Sequence, residues 1–119
     1  MPPRPRSSPQ ELIAHRVVAQ VLATLPAELR AEADRCRIDF TTIPEDHDLL
    51  GLFEGNARHD PEPQSTDELP RITLFLPSLW DYAEGDISTY RDEVKTTLLH
   101  ELAHYLGLDE DEVERLGLG

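Results

Sequence analysis

The stretch that decides the fold lies near the carboxyl end, where residues 90–107 are Y-R-D-E-V-K-T-T-L-L-H-E-L-A-H-Y-L-G. Apolar residues recur here at helical spacing and a glycine follows, so the stretch predicts one long helix from about Tyr90 to Leu106. The apolar arc of this helix consists of Val94, Leu98, Leu99, Leu102, Ala103 and Leu106. The opposite arc carries Tyr90, Thr97, His100, Glu101 and His104. A helix that only packs in a core needs the apolar arc alone, so the polar arc indicates the floor of a cleft.

Within this helix, His100-Glu101-Leu102-Ala103-His104 has the spacing of a zinc site. Because a helix advances about 100° per residue, His100 and His104 project side by side on one face, about 40° apart. That separation lets two imidazoles bind one zinc ion. Glu101 turns toward the same cleft, where it can act as a general base on a water molecule rather than as a ligand. The alternative is an inert pair of surface histidines, since this pattern also arises by chance in unrelated helices.

The residues after the helix point to a third ligand. Gly107 can adopt a positive φ and turn the chain back toward the two histidines. Of the two carboxylates that follow, Asp109 has the position of a helix N-cap, with Glu112 as its capping-box partner. We therefore favour Glu110, the first residue of the next helical turn, as the third zinc ligand, with Asp109 or water as the alternatives. The remaining acids are interpreted as a solvated face: Asp111, Glu112 and Glu114.

The amino-terminal third of the chain predicts two helices. Ser8 has the position of an N-cap and is followed by Pro9 and Glu11, a pattern typical of a helix start. Apolar residues at helical spacing then predict a mostly buried helix that ends before Pro26. Pro26 can itself begin a second, short helix that extends to about Ala33.

The middle of the chain predicts strands. Apolar and polar residues alternate over Arg37–Ile43 and over Arg71–Leu76, which is typical of strands with one buried face. The short apolar run Leu49–Gly55, with a glycine near each end, predicts a further short strand. Residues 56–69 are polar and contain two prolines, so we interpret them as a mobile loop that could act as a lid. Residues 78–90 are interpreted as a connector.

Composition and charge exclude several classes of protein. The 119 residues predict one domain, over residues 8–119, preceded by a disordered basic arm over residues 1–7. The formal net charge of −13 disfavours both nucleic acid and anionic membranes as partners. Cys36 is the only cysteine, which excludes an intrachain disulfide and a cysteine-based zinc site. We find no signal peptide and no run near the roughly 20 apolar residues of a membrane span, so we expect a cytoplasmic protein.

Several segments, in order along the chain, resemble one known family. Residues 49–55, L-L-G-L-F-E-G, resemble its L-L-G-L-[YF]-E-G segment, and residues 69–75, L-P-R-I-T-L-F, resemble its L-P-x-R-I-x-L-[YF] strand, one residue shorter. Residues 93–107 resemble its E-V-x-x-T-[VL]-x-H-E-[IL]-[GA]-H-x-[FL]-G helix, and residues 112–117 resemble its tail. The family is that of the bacterial minimal zincins, zincin-like metallopeptidases of about this length. The resemblance covers about residues 10–119.

This resemblance implies an α+β fold, in which a small mixed sheet packs on an N-terminal helix and a C-terminal active-site helix. It also implies a zinc site at His100 and His104, with Glu101 as the base, in the pattern H-E-x-x-H-x-x-G-x-x-[DE]. The family usually has aspartate at the third-ligand position, where this chain has Glu110 preceded by Asp109.

The function that these residues indicate is a zinc-dependent peptidase that acts on a peptide or protein substrate, with Glu101 moving a proton to the leaving amine. Tyr90, Tyr105 and His59 are candidates for stabilising an oxyanion. By analogy with larger zincins, the Arg71–Leu76 strand is the candidate for binding an extended peptide along a sheet edge, although an ordinary core strand is the alternative.

Two subgroups of zincin are excluded, and two other functions stay open. Met1 is the only methionine, so a metzincin with its Met-turn is excluded, and no glutamate stands at the separation that gluzincins use. The first alternative function is a non-enzymatic module that binds a peptide or partner protein, with the metal serving structure only. The second is a degenerate site that holds no metal.

Overall fold

Five helices and a three-stranded mixed sheet make up the residues that the computed structural model describes, which are 8–46, 48–55 and 70–115. In chain order the elements are α1 (Pro9–Thr24), α2 (Ala27–Ala33), β1 (Arg37–Thr41), β2 (Gly51–Glu54), β3 (Arg71–Phe75), α3 (Leu76–Tyr82), α4 (Ile87–Leu106) and α5 (Glu110–Arg115). The predicted α+β class, with a small mixed sheet, is confirmed.

The central strand of the sheet is β3, because the strand order is β1-β3-β2. Ile72 of β3 lies opposite Ile38 in the parallel pairing with β1 and opposite Phe53 in the antiparallel pairing with β2. The prediction that the Arg71–Leu76 strand offers a free sheet edge is therefore wrong, since both of its edges are already paired. Among the described residues, β1 and β2 each have one strand neighbour, so the open edges belong to them.

One face of the sheet packs on the helices, and the other face carries mostly polar residues. Residues that pair across an antiparallel ladder share a face, so the fully buried Ile72 and Leu74 share theirs with Phe53. Helix α4 packs on this face along β2 and β3. On the other face, Arg71 forms an ion pair with Glu54 at 3.1 Å. The alternation predicted for β1 and β3 thus separates a core face from a solvated face.

Helix α1 contacts the start of α4 through a hydrogen bond from Tyr90. The Ser8 hydroxyl accepts a hydrogen bond from the Glu11 N–H at 3.1 Å, which confirms the predicted N-cap. The Tyr90 hydroxyl donates to the Gln10 carbonyl at 2.9 Å, and its ring lies edge-on to Trp80 with centroids 5.3 Å apart. Tyr90 is fully buried, and burial raises its pKa to about 12. The sequence placed Tyr90 on the polar arc of a cleft, whereas the structure makes it a core residue.

Most of the buried residues form one hydrophobic cluster, drawn mainly from α1 and α4. Its members besides the cysteine are Ala14, Val17, Val21, Leu25, Leu29, Ala33, Ile72, Leu74, Leu76, Leu79, Ala83, Tyr90, Val94, Leu98, Leu102, Tyr105 and Leu106. Cys36 also belongs to it, and burial raises the pKa of its thiol to about 11. Thiolate is therefore scarce near neutral pH.

The connector predicted over residues 78–90 is largely helical, because α3 begins directly after β3. Pro77 lies in the first turn of α3, where the backbone N–H that proline lacks would have no partner in the helix anyway. The sequence pattern indicated only that Pro77 ends a strand. Burial of Leu76 and Leu79 explains why the chain continues as a helix, since both side chains enter the core.

Helix α4 begins at Ile87, three residues before its predicted start. Its N-cap is Asp86, whose carboxylate accepts hydrogen bonds from the Thr89 N–H at 2.9 Å and the Thr89 hydroxyl at 2.7 Å. These two bonds hold the pKa of Asp86 below its usual range. The carboxylate is therefore charged at neutral pH, which suits the positive end of the helix dipole.

Some predictions fall on residues outside the described ranges. These are the basic arm over residues 1–7 and the lid loop over residues 56–69 with His59. The single domain over residues 8–119 includes such residues and stays a prediction. In the described part of the chain, no helix has the length and apolar character needed to cross a membrane.

Candidate metal centre

Two histidines project from α4 one turn apart. The ring centroids of His100 and His104 are 4.5 Å from each other, and both residues are exposed. The buried side chains of α4 fix the rotation of the helix about its axis and leave the two histidines facing solvent. The side-by-side placement predicted from their spacing is confirmed.

Glu101 lies on the flank of α4, where β2 covers it, and is only 8% exposed. A Cβ on Gly51 would lie 3.4 Å from Glu101 Cγ and 2.6 Å from Thr97 Cγ2, so only glycine lets β2 approach α4 this closely. Thr97 and Glu101, expected on an open polar arc, are therefore buried. Sequence reasoning missed Gly51, although a glycine within a strand often marks the close approach of another element.

The side chains of His100, Glu101 and His104 bring three donor groups together. One ligand atom of each lies within 4.8 Å of the ligand atoms of the other two, and Glu101 Oε2 is 3.5 Å from His104 Nδ1. Two nitrogens on a tetrahedral zinc ion, each bonded at about 2.0–2.1 Å, are roughly 3.4 Å apart. The observed separations, all within 4.8 Å, allow the two imidazoles to share one ion after small side-chain rotations, and imidazole is a usual zinc donor. The residues therefore fit a zinc ion.

The end of α4 turns the chain toward the histidines, as the sequence predicts. Gly107 has a φ of 68°, in the left-handed region. Its N–H donates to the His104 carbonyl at 3.3 Å, and the Leu108 N–H donates to the Ala103 carbonyl at 3.0 Å, which is the bonding of a Schellman motif. The partly buried Leu108 then packs against the hydrophobic cluster. This turn leads directly into α5.

Helix α5 places its two leading acids in different roles. The Asp109 carboxylate accepts from the Glu112 N–H at 2.8 Å, and the Glu112 carboxylate accepts from the Asp109 N–H at 3.5 Å. This reciprocal pair is the predicted capping box, so Asp109 is the N-cap of α5. Glu110 is exposed, as expected for a first helical residue whose carboxylate is not used in the cap.

The predicted third ligand reaches the same groove as the histidines but not their cluster. The groove has a volume of about 910 Å³, and its lining includes His100, His104, Asp109 and Glu110. Among the described residues, the donor atoms that lie close enough for one metal ion come only from the two histidines and Glu101. The assignment of Glu110 as a zinc ligand therefore stays a prediction.

The candidates for oxyanion stabilisation do not gather at the cluster. Tyr90 is in the core, with its hydroxyl bonded to α1. Tyr105 is 3% exposed, and its ring packs on that of Phe53 with centroids 5.8 Å apart. His59 lies outside the described residues. Tyr90 is thereby removed from the candidates, and Tyr105 serves the contact between α4 and β2.

Strand β2 lies beside the cluster and has one edge without a strand neighbour among the described residues. The Phe75 N–H donates to the Leu50 carbonyl at 3.0 Å. Along an antiparallel pair, residues whose backbone groups face the neighbouring strand alternate with residues whose groups face away. In this register Leu52 also faces β3, whereas the N–H and C=O groups of Gly51 and Phe53 point to the open edge.

Comparison with known proteins agrees with this geometry. The family model of zincin-like metallopeptidases matches residues 22–119, which includes the sheet and the His-Glu-His cluster on α4. The match begins inside α1, whereas the resemblance noted from the sequence extends to about residue 10. No curated protein matches the chain. The family and the cluster together support a zinc metallohydrolase. Because the family model matches well over half of the chain, the protein belongs to the zincin-like metallopeptidase family.

Proposed function

We propose that the protein is a zinc-dependent peptidase in which His100, His104 and Glu110 hold the metal and Glu101 is the general base. The observation that carries this proposal is that exposed imidazoles and a buried carboxylate lie within one turn of α4. Two imidazoles face the groove, while the adjacent carboxylate is 8% exposed beneath an edge strand. A purely structural zinc site has no need of such a sheltered carboxylate beside its ligands.

The chemistry assigns a different task to each side chain. Zinc, when bound, supplies a Lewis acid that polarises the scissile carbonyl and acidifies water. Glu101 accepts the proton of the attacking water and then delivers it to the leaving nitrogen. Contact with β2 restricts the side chain of Glu101, so the carboxylate stays near His104, whose Nδ1 is 3.5 Å from Oε2.

The open edge of β2 is the proposed place for an extended peptide. The outward N–H and C=O groups of Gly51 and Phe53 can pair with one peptide strand, which gives affinity that does not depend on side-chain identity. Gly51 also lies against α4 near Glu101, so a peptide on this edge passes close to the base. This strand replaces the Arg71–Leu76 strand as the substrate edge.

The test compares the protein with its Glu101→Gln variant. We expect both to hold about one zinc ion by native mass spectrometry, because Glu101 is not assigned as a ligand. Hydrolysis of a peptide library should fall by about 10²–10⁴-fold in the variant, the usual contribution of a general base. Glu114→Gln, which makes the same chemical change at an exposed position in the lining of the groove, is the matched control and should keep full activity. Equal cleavage by the protein and Glu101→Gln would refute the assignment.

A second candidate is the non-enzymatic module, in which the metal serves structure only. The observation in its favour is that little protein surrounds the groove, since α5, which lines one side of it, has no buried residue. A peptide could bind at the edge of β2 in such a module without being cleaved. Zinc retention without any cleavage that depends on Glu101 would favour this candidate over the peptidase.

A further inference from the structure

A second groove lies between α1 and the first part of α4. Its volume is about 640 Å³, and its lining includes the apolar side chains of Ile13, Val17 and Val21 from α1. Three cations also line it: Arg16 from α1, and Arg91 and Lys95 from α4. Asp92 is the one acid among its described lining residues. The site proposed above for hydrolysis uses none of these three cations.

The three cations stand out against the charge of the whole chain. The protein carries 11 basic and 24 acidic side chains. Arg37 and Arg71 are neutralised by ion pairs, whereas Arg16, Arg91 and Lys95 are exposed and have no ion-pair partner among the described residues. Three unpaired cations in one groove make a local positive potential on a molecule that repels anions elsewhere. Such a surface selects a short anionic segment over a long polyanion.

The basic groove adjoins the groove of the histidines, because Asp92 and Lys95 line both. At a helical rise of 1.5 Å per residue, Lys95 is about 7.5 Å along α4 from His100, and Arg91 is about 13.5 Å from it. An extended peptide advances about 3.3 Å per residue. Because a helix turns about 100° per residue, Lys95 and Arg91 also lie about 140° and 180° around α4 from His100. A peptide that lies at the histidines must therefore pass around α4, and it reaches the cations about four to six residues from its reacting bond.

We infer that the groove between α1 and α4 binds acidic side chains of the same peptide whose scissile bond lies at His100 and His104. This inference rests on the proposed function and names its substrate class, which is peptides with aspartate or glutamate four to six residues from the cleaved bond. The apolar floor contacts the stems of those side chains, while the three cations pair with the carboxylates.

Binding is measured with two fluorescein-labelled decapeptides of fixed apolar sequence around a Leu-Leu bond. One carries three glutamates starting four residues from that bond, and the other carries glutamines in their place. The zinc-loaded Glu101→Gln protein is used, so that the peptide is not consumed during anisotropy titration. Three exposed ion pairs predict roughly a tenfold preference for the glutamate peptide at low salt. The preference should shrink at high salt.

Two triple variants decide whether the groove causes this preference. Arg16→Gln/Arg91→Gln/Lys95→Gln should bind both peptides with affinities equal within about twofold, since the charged partners are gone. Arg30→Gln/Arg35→Gln/Arg115→Gln removes the same charge from exposed positions outside the groove and should keep the preference. All six residues are exposed, so the fold should persist, and circular dichroism checks it.

Each outcome bears on one proposal. No preference, a preference that the groove variant keeps, or an equal loss in both variants overturns the acidic-peptide groove. Tighter binding of a ten-residue thymidine oligonucleotide at the same cations overturns it as well. If the preference depends on the groove but the protein with Glu101 intact never cleaves the glutamate peptide, the groove stands and the proposed hydrolysis fails.

Discussion

At the scale of single residues, Gly51 links the sheet to the candidate catalytic carboxylate. Its φ is not in the left-handed region, so the need for glycine comes from space alone. The nearest obstacle to a Cβ is a single methyl group, Thr97 Cγ2, at 2.6 Å, and the next is Glu101 Cγ at 3.4 Å. Gly51 therefore sets the distance between β2 and α4, and this distance determines how far β2 buries Glu101.

Gly51→Ala should lower the free energy of unfolding by about 1–3 kcal/mol, the usual cost of overpacking a buried contact. Thr97→Ser removes the obstructing methyl group and should restore most of that loss in the double variant. Chemical denaturation of the four proteins in this double-mutant cycle measures the coupling. If Thr97→Ser does not lessen the effect of Gly51→Ala, the contact between β2 and α4 is not what requires glycine.

At the scale of elements, the sequence predicted the helix ends most directly, because local interactions determine them. Ser8, Asp109 and Gly107 act at helix ends through bonds to residues three or four positions away, so their roles follow from spacing alone. The position of β3 in the sheet does not follow in this way. Alternation in Arg71–Leu76 reveals which face is buried, but not whether a strand has one neighbour or two.

The same distinction explains why the predictions for two helix residues were wrong. Tyr90 and Glu101 were placed on an open arc because both are polar, yet α1 and β2 cover them. Which face of a helix a distant element covers depends on tertiary contacts that helical periodicity does not contain. For the candidate site, the sequence predicted the histidines and Glu101, while Gly51 and the edge of β2 needed the sheet register.

Helix α5 separates the two possible third ligands. Asp109 already serves as N-cap, whereas the carboxylate of Glu110 has no such role. We expect Glu110→Gln to weaken zinc binding by at least about tenfold, since even outer partners of a zinc site contribute that much. Asp109→Asn should leave zinc affinity unchanged, because asparagine caps a helix as well as aspartate does.

Competition with a chromophoric chelator measures both zinc affinities, and circular dichroism confirms that α5 is retained in each variant. A loss of zinc affinity in Asp109→Asn, with none in Glu110→Gln, would transfer the ligand role to Asp109. No loss in either variant would leave the two histidines as the only ligands on α4 and α5.

At the scale of the whole molecule, the core and the candidate metal site are built from separate residues. The hydrophobic cluster joins α1, α2, α3, α4 and β3, and it is shielded from solvent. His100 and His104 are exposed, and α5 has no buried residue. A zinc ion held by α4 and α5 would therefore fasten a peripheral helix to a core that is already packed.

This separation predicts what chelation does to the fold. Zinc binds only the native state, so at a free concentration 100 times its Kd it should stabilise the protein by about 2.7 kcal/mol. Removing it with EDTA should lower the melting temperature by on the order of 10 °C, and the far-ultraviolet circular dichroism at 25 °C should persist. Amide hydrogen exchange should become faster in α5 and stay slow in α4 and β3. In the structural-metal alternative, chelation would unfold α4 and the sheet together, so rapid exchange throughout the core would reject the peripheral role of zinc.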